Sequence, residues 1–314
     1  MPILSRLPLP LRAIGYPILF IIGLLVMGVA IILIVLVLTY PNLPSLEVLT
    51  DYRPKIPLRV YTADGHLIGE FGEERRAVIG IQDVPDVMKQ AILAAEDDRF
   101  YQHGGIDYLG IIRAAGTNLL GGGKRQGAST ITQQVARNFF LSSEKSYTRK
   151  LYEILLSFKI ESNLSKDQIL ELYINQIFLG QRAYGFAAAA QIYYGKPLKD
   201  ISVAEAAMLA GLPKAPSAYN PIVNPKRAKL RQQYVLRRMH DLGNISDAQY
   251  EAALKETLVV KRELAEYAVH AEYAAEMARQ IATERFPEDV YSRGLKVYTT
   301  LIRAEQEAAY ASLR

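Results

Sequence analysis

The chain has 314 residues, half of them hydrophobic, which is enough for one large domain or two smaller ones. It contains no cysteine, which excludes disulfides, thiolate catalysis and cysteine-based zinc sites. The net charge of +5 is mild for a nucleic-acid binder but suits anionic lipid headgroups or a diphosphate substrate. The four histidines lack metal-ligand spacing. We therefore expect no nucleic-acid partner and no histidine-based metal site.

The first predicted element is a transmembrane helix. No charge occurs from Ala13 to Leu46, and Ile14–Leu38 is almost entirely apolar. About 25 residues at about 1.5 Å each exceed a bilayer core of about 30 Å. The run is too long for a signal peptide and lacks a cleavage site, so a retained anchor is favoured over a cleaved signal or a buried helix. We predict a cytoplasmic tail over residues 1–13 and the span over 14–39. Flanking charges do not fix the orientation, but a short tail left inside is the simpler topology.

Residues 40–85 are predicted to form a juxtamembrane linker and a β-hairpin. The sequence Leu58–Phe71 alternates in hydropathy around Asp64-Gly65, which is a strong hairpin signal.

The chain from Asp86 to about Arg285 is predicted to be helical. Candidate helix starts are Ser129, Ser165, Ser202 and Ser246, and Ser165–Gln168 fits a capping box. A strand is expected over Gly294–Leu301, followed by a helix. We assign residues 86–260 to one domain and 261–314 to a linker into a further domain.

Three consecutive carboxylates, Glu96–Asp98, form the first candidate site. They follow a predicted helix over Val87–Ala95, and Gly104-Gly105 then breaks the pattern. The negative end of the helix dipole and the acidic neighbours should raise the pKa of Glu96, which would make it a proton acceptor near neutral pH. A solvated acidic helix end is the open alternative.

The second candidate site begins at a glycine-rich, basic loop over residues 121–127, which leads into a helix. Free N–H groups at a helix start suit a phosphate or diphosphate. Helical spacing aligns polar residues along one side of this helix, namely Thr130, Gln133, Gln134, Arg137 and Asn138. A flexible loop before an ordinary amphipathic helix is the alternative.

The third candidate is a charged cluster on one helix face. Arg149 and Lys150 lie four and three residues before Glu153, so all three share that face. The cluster is either a surface ion pair or a phosphate site in which the glutamate orients the cations. A fourth segment, Lys166–Asn175, is mostly core, with Tyr173 and Asn175 as potential contacts.

Together these segments resemble the peptidoglycan glycosyltransferase domain of class A penicillin-binding proteins (glycosyltransferase family 51). Five family motifs occur in order within residues 86–245. They are E-D-x-x-F-x-x-H-x-G at Glu96–Gly105, G-x-S-T-[IL]-T-Q-Q at Gly127–Gln134, R-K-x-x-E at Arg149–Glu153, K-x-x-I-L-x-x-Y-x-N at Lys166–Asn175 and R-x-x-x-V-L-x-x-M at Arg231–Met239. Arg137 departs from the family, in which lysine is common at that position.

The resemblance implies a mainly α, lysozyme-like glycosyltransferase domain, preceded by the transmembrane helix and the hairpin. It implies polymerisation of lipid II into β-1,4 glycan strands, with inversion and release of undecaprenyl diphosphate. Glu96 and Glu153 are the implied catalytic residues, the first as proton acceptor and the second orienting the nearby cations. The implied substrate-binding residues are Asp97, Ser129, Thr130, Gln133, Gln134, Arg137, Asn138, Arg149, Lys150 and Tyr173.

The family also implies a single-pass protein of the inner (cytoplasmic) membrane, with a cytoplasmic N-terminus and a periplasmic catalytic domain. The expected partners are lipid II, the growing glycan, the membrane, moenomycin-type inhibitors, further copies of the chain and other cell-wall synthesis proteins. The sequence requires no cofactor, although some relatives use Mg²⁺ or Mn²⁺. Family members of this layout continue into a transpeptidase domain.

Two other functions stay open at this stage. A lysozyme-like lytic transglycosylase or hydrolase would also use a glutamate on a helical scaffold, but as a general acid and without a cationic diphosphate site. A catalytically silent membrane-tethered scaffold is the second.

Overall fold

The computed structural model describes residues 9–50, 55–120, 129–141, 147–261 and 269–313. The protein is mainly helical, as predicted, and divides into two compact units, Met1–Ser45 and Leu46–Arg314. The helices are α1 (Leu9–Thr39), α2 (Glu47–Thr50), α3 (Asp86–Glu96), α4 (Tyr108–Leu120), α5 (Ile131–Phe140), α6 (Tyr147–Glu161), α7 (Lys166–Gln176), α8 (Phe186–Tyr194), α9 (Val203–Gly211), α10 (Pro225–Asp241), α11 (Asp247–Lys255), α12 (Glu272–Arg285) and α13 (Arg303–Ser312). The strands are β1 (Leu58–Tyr61), β2 (Leu67–Phe71), β3 (Arg75–Arg76), β4 (Ala183–Tyr184) and β5 (Lys296–Tyr298).

The first unit contains α1, a helix of 31 residues. It ends at Thr39, and a short 3-10 turn with a proline in its first turn follows. Proline cannot donate the backbone hydrogen bond that would continue an α-helix. Within the described residues, no helix has both the length and the apolar character needed to cross a membrane.

The second unit is built around two groups of helices. Helices α3, α9 and α10 pack against one another, and α5 packs against α6 and α7. Their contact faces bury Met88, Ile92, Ile131, Leu156 and Ile169 completely. Each such side chain contributes about 1.5–3 kcal/mol to the stability of the fold. The two groups meet where the end of α3 approaches the start of α5, and this junction positions the candidate site.

Capping boxes fix the start of four helices. The caps are Thr130, Ser165, Ser202 and Ser246, and each accepts a hydrogen bond from the backbone N–H three residues later, whose side chain bonds back to the cap. The predicted caps at Ser165, Ser202 and Ser246 are confirmed. The prediction that a helix starts at Ser129 is wrong by one residue, because Gln133 lies three positions after Thr130 and completes the box there.

The N-terminal and C-terminal parts of the second unit share one small sheet. Strands β1 and β2 pair antiparallel across the turn at Asp64-Gly65, and β5 pairs in parallel with β1, giving the order β2-β1-β5. Helix α12 packs on the sheet in a core that includes Leu58, Val60, Ile68, Ala275 and Ala278. The segment expected to be a linker therefore completes the core of the hairpin. Sequence periodicity did not reveal this, because Tyr61 and Thr299, which join the two ends, are 238 residues apart.

Candidate active site

A cleft of about 240 Å³ opens where α3, α5 and α10 meet. Its lining is dominated by charge. The acidic residues are Glu96, Asp97 and Asp98, and the cationic residues are Arg113, Arg137, Lys214, Arg231 and Arg238. Five cations against three carboxylates make the cleft electropositive, which attracts an anionic ligand.

Glu96 is the last residue of α3, and its side chain is only 12% exposed. Gln134 donates a hydrogen bond from Nε2 to Glu96 Oε2 at 2.8 Å. Arg231 approaches the other oxygen, Oε1, at 3.9 Å. Burial raises the pKa of Glu96, and the hydrogen bond from Gln134 and the nearby cations offset part of that rise.

The raised pKa of Glu96 was predicted, but the sequence suggested a different cause. The expected causes were the helix dipole and two ionised neighbours, whereas the main cause is desolvation. Both neighbours are held by other groups. Asp97 contacts His103 Nε2 at 3.0 Å and accepts a hydrogen bond from the Ile131 N–H at 3.0 Å. This contact ties the end of α3 to the start of α5.

Asp98 is bound by arginines from two other helices. Arg238 of α10 donates to its carboxylate at 2.6 Å, and Arg113 of α4 donates to it at 3.4 Å. The charge of Asp98 is thereby matched by two arginines, whereas the guanidinium nearest to Glu96 lies 3.9 Å away.

The loop after α3 is hydrogen-bonded to the N-cap residue of α5, the helix that carries Gln134. Thr130 donates from its hydroxyl to the Gly105 carbonyl at 2.6 Å. Gly105 has a φ of +84°, and a Cβ at this position would lie 3.2 Å from backbone atoms of Ser157. Only glycine meets both requirements without strain, which explains the glycine at this position of the motif.

A second cluster adjoins the cleft. Lys150 donates from Nζ to Ser129 Oγ at 3.2 Å, to Gln133 Oε1 at 3.0 Å and to Glu153 Oε2 at 2.9 Å. Arg149 Nε lies 3.3 Å from the other oxygen of Glu153. The shared helix face is confirmed. The surface-ion-pair interpretation is wrong for Glu153, which is 1% exposed.

The structure brings the predicted site residues into three settings. Those lining the cleft are Glu96, Asp97, Ser129, Gln134 and Arg137. Those in the adjoining cluster are Gln133, Arg149, Lys150 and Glu153, joined to the cleft through Ser129. The remaining three lie outside both, since Thr130 is a buried cap, Tyr173 is fully buried in the core and Asn138 is exposed. Substrate contact by these three stays a prediction.

The sequence interpretation missed several residues of the cleft. Arg231 was noted only within a motif, Asp98 only as one of the three consecutive carboxylates, and Arg113, Lys214, Tyr234 and Arg238 were not noted. Three of them recur along α10 at positions 231, 234 and 238, a helical spacing that would have indicated a common face. Arg113 and Lys214 carry no such signal, because only tertiary packing places them here.

No metal site is formed in the part of the chain that the structure describes, where no three histidine, aspartate or glutamate side chains converge. The carboxylates of the cleft do not fit a cation either, because Asp97 and Asp98 are engaged by other groups. A divalent cation stays a prediction for this chain.

Comparison with known proteins places the chain in a family. A sequence model of the transglycosylase family matches residues 64–240. Penicillin-binding protein 1A of Neisseria flavescens is 56% identical over 292 residues, which are 93% of this chain and 37% of that protein. Penicillin-binding protein 1A of Pseudomonas aeruginosa is 50% identical over 274 residues, or 87% of this chain and 33% of that protein.

A crystal structure of penicillin-binding protein 1A from Haemophilus influenzae aligns at 35% identity with a TM-score of 0.48, covering 82% of this chain and 29% of that one. This overlap is too loose to define the fold. The chain spans about a third of the length of the curated relatives it matches. It belongs to the transglycosylase family, and the predicted glycosyltransferase domain of a class A penicillin-binding protein of the 1A type is confirmed.

Proposed function

We propose that the chain is a peptidoglycan glycosyltransferase that polymerises lipid II into β-1,4 glycan strands, with inversion at the anomeric carbon and release of undecaprenyl diphosphate. The observation that carries this proposal is a buried glutamate with a raised pKa inside an electropositive cleft. Membership of the transglycosylase family supports it.

Glu96 acts as the general base in this reaction. The 4-hydroxyl of the acceptor GlcNAc attacks C1 of the donor MurNAc, and its proton passes to Glu96. The new bond joins O4 to C1, and the bond from C1 to the diphosphate oxygen breaks with its electron pair. Gln134 holds Oε2 of Glu96 and Arg231 lies 3.9 Å from Oε1, so the amide and the guanidinium position the carboxylate that receives the proton.

The departing diphosphate needs positive charge more than it needs a strong acid. Arg137, Lys214 and Arg231 supply that charge in the cleft, whereas Arg113 and Arg238 are matched by Asp98.

The adjoining cluster supplies a second cationic position. Lys150 and Arg149 are held by the buried carboxylate of Glu153, which fixes their direction and matches part of their charge. We assign this cluster to the diphosphate of one of the two lipid substrates. Glu153 is a positioning residue in this scheme.

The lytic alternative is less well supported. A lytic enzyme would need Glu96 to be protonated as a general acid, and it has no use for a cationic site beside the reacting sugar. The cleft around Glu96 is lined by cations that suit a diphosphate leaving group.

We further propose a single-pass inner-membrane protein with a cytoplasmic tail and a periplasmic catalytic domain. The support is the uncharged sequence from Ala13 to Leu46. Additional support comes from α4, where Tyr108, Leu109 and Ile112 are each more than 60% exposed next to Arg113 of the cleft. An apolar surface beside a lipid-substrate site suits contact with a bilayer.

The remaining expectations are proposals of the same kind. They comprise the boundaries at 86–260 and 261–314, a following transpeptidase domain, binding of moenomycin-type inhibitors and association with further copies or other cell-wall proteins. Each follows from the family and from the length of the relatives.

The deciding experiment gives the purified chain lipid II in detergent and, separately, isolated sacculi. Glycan polymer from lipid II, resolved by gel electrophoresis, is the expected product. Soluble fragments from sacculi without any polymer would support the lytic alternative. A folded chain that yields neither product would support the silent scaffold.

A further inference from the structure

A second chamber of about 430 Å³ adjoins the cleft, and we call it the outer chamber. Lys214, Arg231 and Tyr234 line both spaces, so the two share a wall. Beyond that wall the outer chamber is lined by Ala218, Tyr219, Arg227 and Leu230, none of which lines the cleft. None of these four residues takes part in the proposed reaction.

The outer chamber differs from the cleft in its charge. Its lining contains three cations and two tyrosines but no carboxylate, whereas the cleft contains three carboxylates. Lys214 and Arg227 are both exposed, and neither forms an ion pair within the described ranges. The positive charge of this chamber is therefore available to a ligand.

One face of α10 connects the two spaces. Arg227 lies one helical turn before Arg231, and Tyr234 lies one turn after it. The guanidinium of Arg231 lies 4.5 Å from the centre of the Tyr234 ring, and both side chains line both spaces. Leu230, in the same helix, is 67% exposed and gives the outer chamber an apolar surface.

The proposed substrate is larger than the cleft. Sites that enclose even a drug-sized ligand measure about 300–1,000 Å³, and the cleft measures about 240 Å³. A disaccharide that carries a peptide is larger than that. Its peptide contributes methyl groups and at least one carboxylate, and these match the exposed leucine and the unpaired arginine of the outer chamber.

We infer that the outer chamber binds the carboxylate-bearing peptide of a glycan substrate whose sugar lies in the cleft. Arg227 makes the charge-assisted contact, while Tyr219 and Leu230 contact the apolar part of the peptide. This inference rests on the proposed polymerase function and deepens it, because it makes the peptide on the sugar part of what the enzyme recognises.

The test compares R227A with R237A in lipid II polymerisation. Arg237 is a matched control, because it is an exposed arginine of the same helix that lines neither chamber. Each protein receives lipid II with its natural peptide and lipid II whose peptide carboxylates have been amidated. Loss of one exposed ion pair should raise the KM of R227A about three- to fivefold on natural lipid II. That difference from the wild type should disappear on the amidated substrate, R227K should restore most of the affinity, and R237A should match the wild type throughout.

The outcomes distinguish a failure of this inference from a failure of the proposed polymerase function. If the wild type polymerises lipid II and R227A has an unchanged KM, the inference is overturned and the proposed function stands. An equal rise of KM on both substrates also overturns it, because the peptide charge is then not what Arg227 binds. If the wild type makes no polymer from either substrate, the proposed function itself fails.

Discussion

The end of α3 and the middle of α6 each bury a glutamate beside the substrate region, and they do so with different partners. Glu96 is held by one neutral amide, with the nearest guanidinium at 3.9 Å. Glu153 lies between Lys150 at 2.9 Å and Arg149 at 3.3 Å. Burial beside a neutral hydrogen-bond donor, with the nearest cation farther away, suits the proposed proton acceptor, whereas burial between two close cations suits a counterion that positions them. The partners, more than the depth of burial, distinguish the two glutamates.

The largest expected effect is the loss of polymerisation rate on substitution of Glu96. Glu96→Gln should lower the rate of lipid II polymerisation by about 10²–10⁴-fold, because an amide cannot accept the acceptor proton. The rate is measured from glycan polymer on gels, with moenomycin binding as the check on the fold. Glu251→Gln, at an exposed glutamate of α11, is the control and should keep its activity. Unchanged turnover in Glu96→Gln would remove Glu96 from the mechanism.

Substitution of Glu153 should change mainly the stability of the fold and the binding of diphosphate lipids. Glu153→Gln leaves two cations beside an uncharged buried group, which should destabilise the fold. Because those cations are partly exposed, we expect a loss of only about 1–3 kcal/mol in the free energy of unfolding. Affinity for diphosphate lipids should fall as the cations lose their fixed direction. Denaturant unfolding and lipid-binding titrations give the two values. A variant as stable as the wild type would reduce the cluster to an ordinary ion pair.

The amide that holds Glu96 allows a test through pH. Gln134 donates to the ionised carboxylate and so lowers its pKa, which means that Gln134→Leu should raise that pKa further. The acidic limb of the profile of kcat/KM against pH should move to higher pH, with activity recovering at the alkaline end. A uniform loss at every pH would show that Gln134 contacts substrate instead of tuning the base.

The smallest expected effect is a change in the free energy of unfolding, which arises because Glu96 is buried. Since the folded pKa of Glu96 lies above its unfolded value, the folded state binds more protons between the two pKa values, and stability falls as pH rises through that window. Glu96→Gln should therefore be more stable than the wild type at pH 7, and the difference should vanish as the pH falls below the unfolded pKa of the glutamate. Thermal unfolding at pH 7 and at a pH below that pKa measures the difference. At pH 7 the free energy of unfolding should rise in Glu96→Gln and fall in Glu153→Gln. These opposite changes would support the contrast between the two glutamates most directly.

Much of the site was predictable because its signals are local. The order of five motifs identified the family, and helical spacing placed Arg149, Lys150 and Glu153 on one face. Three of the four predicted caps are the observed ones, since a capping box needs only residues three positions apart.

Other features depended on contacts between distant segments. Arg238 of α10 reaches Asp98 at the end of α3 across 140 residues, and Lys214 enters the cleft from a loop. The parallel pairing of β5 with β1 likewise joins the two ends of the second unit.

The sequence by itself determined the family, the helices and the identity of the acidic and cationic residues, because motif spacing and hydrophobic period are properties of neighbouring positions. Only the tertiary structure decided which of those charges are buried and which partner each one meets. Desolvation and ion pairing depend on segments far apart in the chain. For that reason Glu96 and Glu153, both buried glutamates, meet different partners in the folded protein.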